Sequence, residues 1–219
     1  FEINVSNEFH FFTPSDSVQD VTLFAKYTLR ADEMFLNRMI GGTFEGSNDP
    51  DFREKEVLYL INEKPKRLQT VVQSYSSKSY RYVRYIGPKD SHCNIAEAAF
   101  YTPNDTASLK GKVIGTPGCF QKDGSHEYTN VFDGDVTTSF DYIEPSGGWS
   151  GLDLGTPKQI GRIVYTPRSY DNYIRSGDDY ELFYCARRNN WKSLGDQRSK
   201  ADSLIYIKIP VNALLLLCN

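Results

Sequence analysis

The sequence lacks any apolar run close to the roughly 20 residues that cross a bilayer as a helix, so membrane insertion is not expected. It also lacks a polybasic run long enough to mark a nucleic-acid or anionic-membrane partner, and its net charge of −3 points the same way. No C-x-x-C pair occurs among its 4 cysteines, Cys93, Cys119, Cys185 and Cys218, which argues against zinc and thioredoxin-type redox sites. A disulfide among the three later cysteines is one reading of them and buried free thiols the other, with the second favoured. None of the 3 histidines, His10, His92 and His126, stands in a nucleophile or metal motif such as G-x-S-x-G or H-E-x-x-H. With no such signature, and no carboxylate pair that marks a glycosidase cleft, an enzyme is not expected.

Methionine is scarce too, with 2 in 219 residues, whereas aromatics make up 14%, including 15 Tyr and 13 Phe. That bias favours strands, because branched and aromatic side chains suit a pleated, half-buried surface. Val21 to Arg30 (VTLFAKYTLR), residues 43–45, VLYLI at 57–61, YRYVRYI at 80–86 and IAEAAFY at 95–101 all read as strands separated by Gly, Pro, Asn and Asp turns. The arginines of YRYVRYI are expected on a solvated face, with its tyrosines turned inward. The best helical segment, ADEMFLNRM at 31–39, is short. All-β is the expected class.

A repeat is visible within the chain. Tyr27-Thr28-Leu29-Arg30 returns as Tyr165-Thr166-Pro167-Arg168, and Phe52 is separated from Trp191 by nearly the same offset. The reading is two copies of one β-domain, at 1–103 and 112–219, joined by a polar linker at 104–111. The first copy is divergent or truncated at its start, and the second stops before a counterpart of IAEAAFY. An opening without Met, and a terminal apolar strand, fit a trimmed piece of a longer secreted chain with neighbouring domains.

The most informative stretch is YTNVFDGDVTTSF, from Tyr128 to Phe140. Asp133 and Asp135 flank Gly134, with hydroxyls at Thr137 and Thr138, so several hard oxygens are able to converge as a Ca²⁺ ion requires. The simpler alternative is an Asp-Gly turn between two strands.

VFDGDVTTSF, WSGLDLG, IGRIVYTPR and GDDYELFYC followed by Trp191 resemble, in that order, a discoidin-type domain, also called a factor V/VIII C-type domain and similar to family-32 carbohydrate-binding modules. FEGSNDPDF, YRYVRYIGP and NIAEAAFY resemble the latter half of the same pattern. The resemblance implies two tandem antiparallel β-sandwiches of the jelly-roll, galactose-binding-like kind, with binding loops at one end. It implies a non-catalytic module that binds a glycan, held outside the cell, at its surface or in the periplasm. The ligand-binding candidates it supplies are Arg168, Asn172 and Tyr170 in one loop, with Tyr142 and His126 on neighbouring loops. A guanidinium suits adjacent hydroxyls because its fixed fork donates two parallel hydrogen bonds. The resemblance also implies structural calcium on Asp133, Asp135, Thr138 and the carbonyl of Asn130, completed by a Glu from a last strand. The only match to that Glu is Glu97, which falls in the other copy. Trp149 and Trp191 are implied as packing residues at the sandwich edge. The alternative function is a structural spacer or a protein–protein docking unit.

Overall fold

The computed structural model describes residues 14–27, 30–186 and 190–219. The described elements run β1 (Val18–Leu23), α1 (Arg30–Asn37), β2 (Thr43–Ser47), β3 (Lys55–Leu60), β4 (Thr70–Gln73), β5 (Ser79–Ile86), β6 (Ile95–Tyr101) and β7 (Lys112–Gly115). After a short 3-10 turn at Tyr128–Phe132 come β8 (Trp149–Gln159), β9 (Arg162–Pro167), β10 (Asp179–Ala186), β11 (Asn190–Arg198), β12 (Leu204–Pro210) and β13 (Leu215–Cys218). Every pairing is antiparallel. The fold is all-β, as the composition predicts, with one short α-helix among the described residues.

The chain divides into two compact units, and the boundaries differ from the expected ones. One unit is residues 28–172; the other joins Phe1–Tyr27 to Tyr173–Asn219. The expected linker at 104–111 is not a boundary, because the ladders cross it. β5 pairs with β8, and β6 pairs with β9. Leu109 donates to the Phe100 carbonyl at 2.7 Å and packs on the core, so this segment is fastened to the sheets it connects. Part of the repeat signal, Thr28-Leu29, lies outside the described residues.

The larger unit has a five-stranded sheet in the order β3-β2-β5-β8-β7 and a three-stranded sheet in the order β4-β9-β6. They share one core. Phe44 of β2 meets Phe100 of β6 at 6.0 Å and Tyr165 of β9 at 5.4 Å, both across the gap between the sheets. Tyr85, Val83, Leu58, Ile163 and Ile95 fill the space around them. Tyr80, Val83 and Tyr85 of β5 turn into the core, whereas Tyr82, one step from Val83, meets Phe52 at 6.4 Å instead. Arg84 points the other way but is not solvated. It donates to Glu45 at 2.8 Å and lies 4.0 Å over the Phe52 ring, beneath the loop that carries Phe52. Trp149 joins that stack at the start of β8, 5.7 Å from Phe52.

The smaller unit pairs β1 with β12 and, separately, orders β11-β10-β13. Ile174, Tyr180, Leu182, Leu204, Tyr206 and Ile209 form its core. The terminal apolar segment, expected as one strand, is the end of β12, a turn and β13. Cys93, Cys119 and Cys185 are buried and Cys218 is exposed, and none of the four is in a disulfide. No helix among the described residues is long and apolar enough to cross a membrane.

Candidate functional site

The register of the larger unit gathers several loops at one end. Ile86 of β5 faces Thr43 of β2 on one side and Trp149 of β8 on the other, and Ile95 faces Pro167 across β6 and β9. The segments following β5 and β9, and those preceding β2 and β8, therefore emerge together. They carry most of the residues singled out in the sequence.

Arg168 leaves β9 and turns back into the protein. Its Nη1 donates to Asp141 Oδ2 at 2.5 Å, and the two side chains are only 13% and 11% exposed. Asp141 Oδ1 accepts from Asn94 Nδ2 at 2.6 Å, and Asn94 Oδ1 accepts from Arg38 Nη1 at 2.9 Å. Four residues from four segments thus form one chain of polar contacts. Phe35 of α1 covers it, with the Arg168 guanidinium 4.5 Å over its ring. Phe35 also meets Tyr170, ring centroids 5.4 Å apart, and Tyr170 is half exposed.

The remaining candidates are less open. Asn172 is buried. Tyr142 is partly buried against the core, with its ring near Phe140, and a Cβ on Gly148 would meet that ring at 2.8 Å. Its carbonyl meets His92 Nδ1 at 2.9 Å. His126 braces a loop, with Nδ1 3.3 Å from the Ser139 carbonyl and its own carbonyl accepting from the Asp141 amide at 3.1 Å. Arg168 and Tyr170 are therefore brought together through Phe35, while Asn172, Tyr142 and His126 serve the packing around them. Sequence reasoning missed Phe35, Arg38, Asn94 and Asp141. A Phe on a short helix and a lone Asp carry no signal until the fold sets them against Arg168.

The acidic turn is closed by Glu97, which the repeat reading assigns to the other copy. Glu97 Oε1 accepts from the Gly134 amide at 2.8 Å, and Gly134 has the positive φ of +86° that favours glycine. Burial, and then the Asp133 carboxylate beside it, push the Glu97 carboxyl up to about 8. Asp133 also accepts from the Asp135 amide and the Thr138 hydroxyl, each at 2.8 Å, and the Asn130 carbonyl accepts the Asp133 amide at 3.4 Å. Asp135 instead accepts from Thr137, at 2.9 Å from its amide and 2.6 Å from its hydroxyl. The donors that converge are hard oxygens of the type calcium takes. Among the described residues, no three acidic, His or Cys side chains are arranged to hold a metal as the turn stands.

Comparison with known proteins gave no match to a family model, a curated protein or a solved structure.

Proposed function

We propose that the chain is a non-catalytic glycan-binding module of a secreted or surface-held protein, and that the larger unit binds the sugar through its gathered loops. The observation that carries this reading is Tyr170, an aromatic face half open to solvent on a rigid backing. A sugar ring has an apolar face that stacks on such a ring, and immobilising one already fixed side chain costs little entropy. In this reading Arg168 does not grip the sugar. Its pairing with Asp141 and its contact with Phe35 hold the platform in place. Calcium at the acidic turn belongs to the same proposal. Glu97, Asp133, Thr138 and the Asn130 carbonyl would hold it, with Asp135 turning from Thr137, and its role would be to brace the loop.

The test is a titration of galactose-type and mucin-type sugars into the protein and into Tyr170→Ala, followed by two-dimensional NMR. Saturable shifts around Tyr170 that vanish in the variant support the reading. Absence of shifts at millimolar sugar overturns it. For calcium, calorimetry on the chelator-treated protein and on Glu97→Gln reads the metal directly.

A second reading, a protein-docking or spacer unit, is favoured by one observation in the smaller unit. Ile205 and Ile207 lie on the same face of β12 and are about 60% exposed, at 59% and 62%. Exposed apolar faces of this kind commonly meet another protein. Under this reading no sugar binds, and Ile205→Lys with Ile207→Lys abolishes association with a neighbouring domain in sedimentation velocity.

A further inference from the structure

The loop after β7 places a second aromatic side chain in the open. Gly115 at the end of β7 faces Ser150 of β8, so this loop leaves the sheet beside the segment that precedes β8. Phe120 stands on it and is 57% exposed. Its backbone is fastened down. The Phe120 amide donates to the Asp141 carbonyl at 2.8 Å, and the neighbouring Cys119 is buried and bridges to Tyr142. The imidazole of His92 meets the Phe120 ring nearly at a right angle, 82°, with centroids 5.5 Å apart. A contact of that geometry engages at most one face of the phenyl ring.

His92 is held as firmly. Its amide donates to the Pro145 carbonyl at 3.1 Å, its carbonyl accepts from the Tyr142 amide at 2.7 Å, and Nδ1 lies 2.9 Å from the Tyr142 carbonyl. A carbonyl only accepts, so Nδ1 carries the proton and Nε2 of the neutral ring is an acceptor. Nε2 has no hydrogen-bond partner among the described residues. His92 and Cys93 both have a left-handed φ of +56°, uncommon for residues with a side chain. Such backbone persists where surrounding contacts over-determine it, and it clusters at ligand sites.

An exposed aromatic alone suits any apolar partner. Beside an open acceptor it suits a ligand with an apolar face and hydroxyls around its rim, which is what a pyranose ring presents. Asp141 ties this pair to the Tyr170 platform. Its carbonyl holds the Phe120 amide, while its carboxylate accepts from Arg168, whose guanidinium lies over Phe35, and Phe35 meets Tyr170. Two aromatic platforms are thus fastened to one residue, one through its main chain and the other through its side chain.

We propose that Phe120 and His92 form a second sugar subsite, so that the preferred ligand is an oligosaccharide spanning both aromatics and not a single sugar. Phe120 stacks on one ring of that ligand, and His92 Nε2 accepts from one of its hydroxyls. The proposal rests on the glycan reading of Tyr170 and adds the length of the ligand. A chain long enough to engage both platforms makes its second contact intramolecularly, so affinity rises in a step at that length.

The experiment titrates galactose, its β-1,4-linked di-, tri- and tetrasaccharides, and N-acetyllactosamine oligomers of matching length into the whole chain. Calorimetry and two-dimensional NMR read each titration, and the series is repeated with Phe120→Leu, His92→Asn and Tyr170→Ala. The expected result is a rise in affinity of about tenfold or more at one chain length, with amide shifts at His92 and Phe120 as well as at Tyr170. Phe120→Leu keeps an apolar side chain without a ring. It is expected to remove the step, leave monosaccharide affinity unchanged and, because Phe120 is exposed, keep the parent melting temperature. His92→Asn keeps a donor for the Tyr142 carbonyl and tolerates the left-handed backbone but puts no acceptor at Nε2, and it is expected to lose part of the step. An affinity that does not change with chain length, or a step that survives Phe120→Leu, overturns the proposal and leaves the Tyr170 platform standing. Shifts confined to His92 and Phe120 and unaffected by Tyr170→Ala overturn the Tyr170 reading instead, and support the subsite as a site of its own. Absence of binding by every member at millimolar concentration overturns both.

Discussion

Arg168 and Asp141 form a nearly buried ion pair that joins the end of β9 to the loop before β8, at 2.5 Å. Removing one partner of such a pair leaves a charge in a low-dielectric setting, which typically costs about 3–5 kcal/mol. Arg168→Ala is therefore expected to lower the urea midpoint by an equivalent amount with an unchanged m-value. Arg168→Met combined with Asp141→Leu is expected to recover most of that loss. A loss under about 1 kcal/mol for the single variant would show a pair that behaves as if exposed.

Glu97 gives the protein a distinct pH dependence. Its carboxyl titrates near 8 in the folded protein, well above the ordinary carboxylate range. Below that ordinary range both folded and unfolded states are protonated, so stability does not change. Between there and about pH 8 the unfolded chain has released the proton while the folded one retains it, and stability falls as pH rises. Above 8 the decline ends. Melts of chelator-treated protein from pH 5 to 8.5 should show this fall, and Glu97→Gln should flatten it. An unchanged slope in the variant would assign the effect to another group.

Tyr85 sits wholly inside the larger core, and its hydroxyl has no hydrogen-bond partner among the described residues. Burial holds its phenol well above the usual range, so it stays neutral. Deleting an unpartnered polar atom while keeping the ring relieves a desolvation cost, so Tyr85→Phe is expected to raise stability by about 1 kcal/mol. A drop of similar size would reveal an ordered water bound to that hydroxyl.

The division of the chain is also testable. A fragment of residues 28–172 retains both sheets and is expected to give a dispersed NMR spectrum and a cooperative melt. Fragments 1–103 and 112–219 each sever the β5–β8 and β6–β9 ladders, leaving unpaired edges, and are expected to aggregate or remain unfolded. Cooperative folding of either half would restore the tandem reading.

Much of the strand content was legible because it is local. Alternation in YRYVRYI and the β-branched run in IGRIVYTP announce strands whatever they pair with. Pairing is not local. Nothing near IAEAAFY says that its partner is β9, about sixty positions downstream, so Glu97 and the acidic turn looked like incomplete parts of two sites. Arg84 misled for a related reason. An arginine in an alternating strand reads as solvated, and only the loop carrying Phe52, folded over it, reveals the buried Glu45 beneath. The loop-end cluster was half visible. Arg168 and Tyr170 stand two residues apart, but the Asp141 and Phe35 that set their roles come from distant segments.

The pairing of β1 with β12 has a consequence for how the protein is made. Val18 faces Pro210 and Leu23 faces Leu204, so all of the chain between these strands must leave the ribosome before this ladder closes. The larger unit is complete once β9 emerges and is free to fold during synthesis, whereas β1 waits unpaired throughout. Contacts so distant in sequence form slowly. Refolding is therefore expected in two phases, the later one belonging to the small unit, with β1 exposed in the interval to chaperones or to the wrong strand.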